Sequence, residues 1–243
     1  MAGVPLELNM VEGTETKQFV LVHGGGVVGL WCWYKTITLL EKHGVSSIDT
    51  NNVTIFAHYS KPLFHFFESL KPTEKVGLYC MSYAMEMFPT KITKAVYISA
   101  AMLANGQSTL DLFNQKLGSN DLMQQAQIFL YTNGKKNPPT AADFDRSLLK
   151  DFIFNQSPPK DIALASVSIR PIPFAPLYST VLHKNHAGLR CIGSSSGGNE
   201  HKLSPPEKVF ELKGSNHAPI FSRPQSLNRI LIKISHIPFK KLS

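Results

Sequence analysis

The chain has 243 residues, 43% of them hydrophobic, enough to bury a full core and within the range where one α/β domain is the ordinary outcome. Its formal charge is +8, yet the 25 Lys and Arg are scattered, with short doublets at Lys135-Lys136 and Lys240-Lys241. A nucleic-acid surface needs a basic stripe or a binding motif, so nucleic acid is excluded as a partner.

Cys32, Cys80 and Cys191 are an odd number at unrelated spacings, which suggests neither a disulfide framework nor a zinc site, and no metal is expected. Glu7, Glu12 and Glu15 break both the signal-peptide pattern and the acid-poor transit-peptide pattern. No apolar run approaches the roughly 20 residues that span a bilayer. A cytoplasmic chain with no membrane partner is expected.

In chain order, Gln18-Phe19-Val20-Leu21-Val22 is a continuously apolar, β-rich run ending in His23 and three glycines, which predicts a buried parallel strand feeding a tight loop. Trp33 to His43 carries apolar residues at helical spacing and stops at Gly44, a natural residue just past a helix end. From Tyr59 onward, Leu63, Phe66, Phe67 and Leu70 fall on one helical face, closed by Lys71-Pro72. Val76 to Tyr79 is a second strand, Ala95 to Ile98 a third after a short helix, and Lys208 to Leu212 a fourth. A last helix starts near Pro224, with Leu227, Ile230, Leu231 and Ile234 on one face. Strands alternating with helices imply a parallel sheet covered on both faces, the α/β class.

Residues 108–170 show helical patterns parted by polar turns, including Asn137-Pro138-Pro139 and Ser157-Pro158-Pro159, with no convincing strand. The expectation is one domain over 1–243 with a helical cap at roughly residues 105–180. Residues 193–206 are expected to be the least ordered internal segment, because Ser, Gly, Asn and Lys there offer little apolar area to offset ordering entropy.

His23-Gly24-Gly25-Gly26 directly after a buried strand has the form of an esterase oxyanion loop, in which glycine lets a backbone N–H approach a carbonyl that becomes negative. A plain tight turn is the bland alternative. Gly24, Gly26 and Gly29 also satisfy G-x-G-x-x-G, with Asp49 downstream as a ribose-binding acid, but Trp31-Cys32-Trp33-Tyr34 stands where a phosphate-cradling helix should begin. His217, between the last strand and the last helix, is where a Ser…Asp…His chain order places its base. The alternative is a solvated loop histidine, as read for His183, His186 and His201.

Phe19-Val-Leu-Val-His-Gly-Gly-Gly, Trp31-Cys-Trp-Tyr-Lys, Glu74-Lys-Val, Tyr83-Ala-Met-Glu-Met-Phe-Pro, Asp161-Ile-Ala-Leu-Ala-Ser with Arg170-Pro171, and Gly214-Ser-Asn-His-Ala-Pro together resemble the plant methylesterase and hydroxynitrile lyase family of α/β-hydrolases. The resemblance covers roughly residues 17–236 and is nearest to the chloroplastic methylesterase branch. It implies an α/β-hydrolase sheet with a helical cap and a small carboxylesterase that cleaves methyl esters of plant hormones such as indole-3-acetate, jasmonate or salicylate. It implies no cofactor and a small-molecule ester or hormone-like ligand as the partner. By position in the family's motifs, Gly25 supplies an oxyanion N–H and His217 is the general base.

The sequence departs from the pattern at three places. The family's nucleophile elbow, G-H-S-x-G-G or a variant with Asp for Ser, is replaced by Gly77-Leu78-Tyr79-Cys80-Met81-Ser82, several residues too short. No strand follows the Leu39-Leu40 helix, which leaves the sheet without an edge strand. After Cys191-Ile192-Gly193 there is no carboxylate until Glu200, so the imidazole lacks its orienting acid. Cys80-Met81-Ser82-Tyr83-Ala84 keeps a loose elbow pattern in which Ser82 is a displaced nucleophile; the alternative places Ser82 within the following helix. The resulting expectation is a methylesterase-family protein with impaired catalysis, the alternative being a noncatalytic binding protein that uses the capped apolar pocket.

Overall fold

A computed structural model of the chain describes residues 6–12, 15–21, 30–36, 64–65, 68, 76–79, 87–88, 92–100, 106–108, 125–174, 180–181, 189–193 and 208–237. Leu6, Leu8 and Met10 alternate with polar residues, the period of a strand with one apolar face, and Leu6–Glu12 is β1. It folds back antiparallel on β2 (Glu15–Leu21), with the register running from Leu6↔Leu21 to Glu12↔Glu15, so two residues are left for the turn. The sequence reading missed β1 although its alternation was visible. β3 (Val76–Tyr79) falls on the expected residues, and β4 (Ile92–Ile98) starts three residues earlier than expected.

The block that follows departs from expectation. It contains β5 (Gln107–Ser108), β6 (Gln127–Leu130), β7 (Ala141–Phe144), α1 (Arg146–Phe152), α2 (Pro159–Ser168), β8 (Ile172–Pro173) and β9 (Thr180–Val181). β6, β7 and β8 make a three-stranded antiparallel sheet, and β5 pairs with β9. The expectation of a strand-free, all-helical block over 108–170 is therefore corrected. Strands of two to four residues hold at most two periods of alternation, too few to register against helical spacing. The Pro-rich turns were read correctly: Asn137-Pro138-Pro139 joins β6 to β7, and Pro159 occupies the first turn of α2, where its missing N–H is harmless. α1 is capped by Asp145, whose carboxylate accepts from Ser147 N at 2.9 Å; the hydroxyl and backbone bonds from Ser147 hold that carboxyl below its usual range.

The chain returns to the main sheet as β10 (Leu189–Gly193) and β11 (Lys208–Glu211), then closes with α3 (Pro219–Ser222) and α4 (Pro224–Ser235). Hydrogen-bonded order in the six-stranded sheet is β1-β2-β3-β4-β10-β11, and every pairing except β1 with β2 is parallel. β10, too short and Arg-interrupted to stand out in the sequence, lies between β4 and β11. Residues 37–63, where the edge strand is absent from the sequence, lie outside the described residues, as do Asp49 and residues 194–207. The segment read as least ordered therefore contributes only Gly193 here, as the last residue of β10.

Leu21, Val96, Leu212, Leu227 and Leu231 share one buried cluster with Phe144, Leu149, Phe154, Ala165 and Ile169 of the inserted block. The anticipated apolar face of α4 is confirmed: Leu227, Leu231 and Ile234 are buried and Ile230 packs against them. Lys94 is buried in β4 and its Nζ donates to Ile234 O and Ser235 O, both at 3.0 Å, so a cation meets the last carbonyls at the negative end of α4. Lys94→Met keeps the aliphatic stem and deletes those bonds; it is expected to destabilise the fold by about 2–3 kcal/mol, read as a lower urea midpoint at unchanged slope. Beyond β4, Ser99 has φ 46°, and its hydroxyl is buried with no hydrogen-bond partner.

Candidate functional site

Three segments remote in sequence meet around the loop that carries His217. The first is the turn after β2. Leu30–Trp33 forms a 3₁₀ turn that runs into helical backbone at residues 34–36, and Cys32 and Trp33 are buried. Burial pushes the Cys32 thiol far above its usual range, so it stays protonated and is no nucleophile.

The second segment is the start of α2. Asp161 is fully buried; its Oδ1 accepts from Tyr34 OH at 2.6 Å and its Oδ2 from Lys35 Nζ at 2.5 Å. Lys35 Nζ also donates to Phe221 O at 3.2 Å, so one ammonium ties the turn after β2, the inserted helix and α3 together. Burial, followed by the hydrogen bond to Asp161 and the charge of that carboxylate, pushes the Tyr34 phenol up to about 12, which keeps it a donor at any physiological pH.

The third segment is residues 212–222. Gly214 takes φ 67°, where an added Cβ would meet the Arg223 guanidinium at 2.5 Å, and Arg223 Nε donates to Gly214 O at 2.8 Å. Ser215 Oγ and Ser222 Oγ lie 3.1 Å apart in a hydrogen bond across the loop. Asn216 Oδ1 accepts from Ala218 N at 2.9 Å while its Nδ2 donates to Ser157 Oγ at 3.0 Å, so a side chain of the loop reaches the inserted block. His217 is exposed between these buried neighbours.

Asn216 thus holds the loop from both ends. Asn216→Ala removes both bonds and leaves the Ala218 N–H without its partner, at an expected cost of about 1–3 kcal/mol, with Ser157→Ala costing less because it removes only the acceptor of Asn216 Nδ2 and leaves the Ala218 bond in place. Thermal denaturation of the two variants checks the order.

His217 therefore stands where the sequence placed it, between β11 and α3. Gly25 and Ser82 lie outside the described residues, as does the whole Gly24–Gly29 loop. Among the described residues no group of His, Cys, Asp and Glu is arranged to hold a metal ion, and no helix is long and apolar enough to cross a membrane. Sequence reasoning missed the Lys35–Asp161 and Asn216–Ser157 contacts. Both of the first pair lie in segments that carry the family resemblance, but nothing in their spacing says that they touch.

No protein-family model matches the chain. It is 69% identical, over 99% of its length, to methylesterase 13 of Arabidopsis thaliana, covering 61% of that protein. It is 41% identical, over 94% of its length, to methylesterase 12 of the same plant, covering 74% of it. The chain belongs to the plant methylesterase family. This methylesterase-family chain spans about three fifths of the length of the first two curated relatives it matches, methylesterases 13 and 15.

Among solved structures, methylesterase MES16 from Arabidopsis superposes with a TM-score of 0.73 at 27% identity, over 88% of this chain and 97% of that one. Tomato methylketone synthase I in complex with 2-tridecanone gives 0.75 at 28%, over 89% and 96%. The fold is the α/β-hydrolase fold, and the dinucleotide reading of the glycines is set aside. The cytoplasmic expectation is also overturned, because methylesterases 13, 15, 11 and 12 are all named chloroplastic. The acidic residues that argued against a transit sequence, Glu7, Glu12 and Glu15, lie in β1 and β2. They belong to the folded sheet, so their composition does not bear on targeting.

Proposed function

We propose that this chain is a methyl-ester hydrolase by ancestry whose catalysis is impaired, residing in the plastid and retaining a pocket for esters of plant hormones such as indole-3-acetate, jasmonate or salicylate. His217 is its general base, Gly25 supplies the oxyanion N–H, and Ser82 is the displaced hydroxyl left where the nucleophile belongs. No cofactor enters the scheme, and neither nucleic acid nor membrane is a partner.

The observation that carries the reading is the short connection between β3 and β4. Parallel neighbours need a crossover of about a dozen residues or more even when it contains only a helix. Residues 80–91 supply that minimum and leave no length for a strained elbow that projects a nucleophile over the sheet. The 69% match runs over 271 positions, more than the chain's 243 residues, so the relative holds stretches with no counterpart here, which supports a shortened chain without locating where it is shortened.

The second reading is a noncatalytic binding protein. It is favoured by the intact struts between the inserted block and the His217 loop, Lys35 to Asp161 and Asn216 to Ser157, which outlast the elbow. Thermal melts with methyl indole-3-acetate, methyl jasmonate and methyl salicylate, paired with assays of released methanol, separate the two. Stabilisation without turnover supports binding alone, slow turnover lost in His217→Ala supports the impaired enzyme, and neither effect removes both.

A further inference from the structure

Among the described residues β6 is an edge strand of the inserted sheet, whose hydrogen-bonded order is β6-β7-β8. Its inner side is taken: Leu130 O accepts from Thr140 N at 2.8 Å and Ala126 O from Asp145 N at 2.7 Å, both toward β7. Backbone groups of a strand alternate in direction from one residue to the next, so Gln127 and Phe129 aim their N–H and C=O away from β7. An edge of this kind is a template for a further strand.

The side chains call for the same addition. Ile128 pairs with Asp143 and Phe129 with Ala142, at successive positions and therefore on opposite faces of the sheet. Both are exposed, Ile128 at 47% and Phe129 at 42%, although Ala142 is buried and Phe129 meets Phe174 edge-on with centroids 5.4 Å apart. A partner resting on one face of the sheet covers only one of them. A chain laid alongside β6, at the ordinary strand spacing of about 4.8 Å, flanks both.

Charge selects the occupant. Soluble proteins protect exposed sheet edges with lysine, proline or a bulge. From Leu122 to Gly134 this chain has no charged residue and no proline, within a molecule of net charge +8. Two copies of a cationic chain repel one another overall, which favours contact through an uncharged edge. An acidic partner finds no cation there to pair with. Two edge strands related by a two-fold axis run antiparallel, and self-pairing sets no like charges opposite each other here. We propose that two copies of this chain associate through β6, running antiparallel, so that their inserted sheets join into one. With Gln127 and Phe129 pointing outward, Gln127 of one copy exchanges backbone bonds with Phe129 of the other, and the two Ile128 side chains face each other.

Sedimentation velocity over a dilution series is the test. Wild type is expected to pass from dimer to monomer on dilution. Ile128→Lys and Ile128→Asp are each expected to raise the dimer Kd about tenfold or more, because an apolar pair is replaced by facing like charges. Mixed in equal amounts, these two variants are expected to associate again. Phe129→Pro deletes an outward N–H that the inserted sheet does not use, and is expected to weaken the dimer more than Phe129→Ala, which removes the same ring and keeps the donor. Melting of the Ile128 variants at monomer concentrations is expected to match wild type, since that side chain is half exposed. Wild type that stays monomeric up to about 200 μM overturns the proposal. So does a dimer that Ile128→Lys and Phe129→Pro leave intact, or a failure of the two charged variants to associate when mixed.

Discussion

Purified protein is expected to release methanol from methyl indole-3-acetate at only a trace rate, about a millionfold below the turnover of a serine hydrolase with its nucleophile in place. The nucleophile divides acyl transfer into two lower barriers, and without it the remaining groups assist only direct attack by water. His217 can still take a proton, an effect worth about a hundred- to ten-thousandfold when geometry is right. In the proposed scheme a backbone N–H at Gly25 stabilises the developing oxyanion. Oxyanion hole and binding together leave about a thousandfold over water. No carboxylate lies between Cys191 and Glu200 to orient the imidazole, which lowers the base's share further. Initial rates for wild type, His217→Ala and Ser82→Ala decide the matter. Turnover at an ordinary enzymatic rate that Ser82→Ala abolishes would show that the elbow is reshaped within residues 80–91, and the impaired-enzyme proposal would fall.

Lys35→Met is expected to destabilise the fold by about 3–5 kcal/mol, a drop of roughly 10 °C in melting temperature for a chain of this size. Asp161 is fully buried, whereas the Lys35 side chain keeps 18% of its exposure. Removing the lysine leaves a carboxylate in the core with one phenol as its donor. The reverse change is milder: Asp161→Asn leaves the ammonium bonded to Phe221 O and able to turn toward water. That asymmetry identifies the mechanism, since a purely geometric strut would weaken about equally from either side. The double variant Lys35→Met, Asp161→Leu is expected to recover much of the loss, because two charges no longer need compensation. Equal losses in the two single variants, or additivity in the double one, would reject a desolvated ion pair.

The same pair shows where sequence information ends. Local pattern placed β3, most of β4, β11 and α4, because a buried parallel strand is a short apolar run and a surface helix repeats its apolar residues every three or four positions. It also placed His217 in its loop, and the family resemblance supplied the α/β-hydrolase fold. β1 was legible in the alternation of Leu6, Leu8 and Met10 and was overlooked. β6, β7 and β8 were not legible, since strands of two to four residues are too short to display a period and take their identity from the partners they pair with.

The residues that hold the site together left even less trace. Lys35 and Asp161 are 126 positions apart, and Asn216 and Ser157 are 59 apart, distances over which no spacing rule operates. Ser99 reads in the sequence as one more serine after a strand. Its positive φ and buried hydroxyl arise only when β4 is fixed between β3 and β10 and the chain must turn at that point. Sequence by itself determined β3, most of β4, β11, α4 and the family they serve, because those properties are local or shared by descent. Tertiary structure alone decided which buried charge meets which, and which hydroxyl is left unpaired, because burial and pairing belong to the assembled chain and to no segment of it.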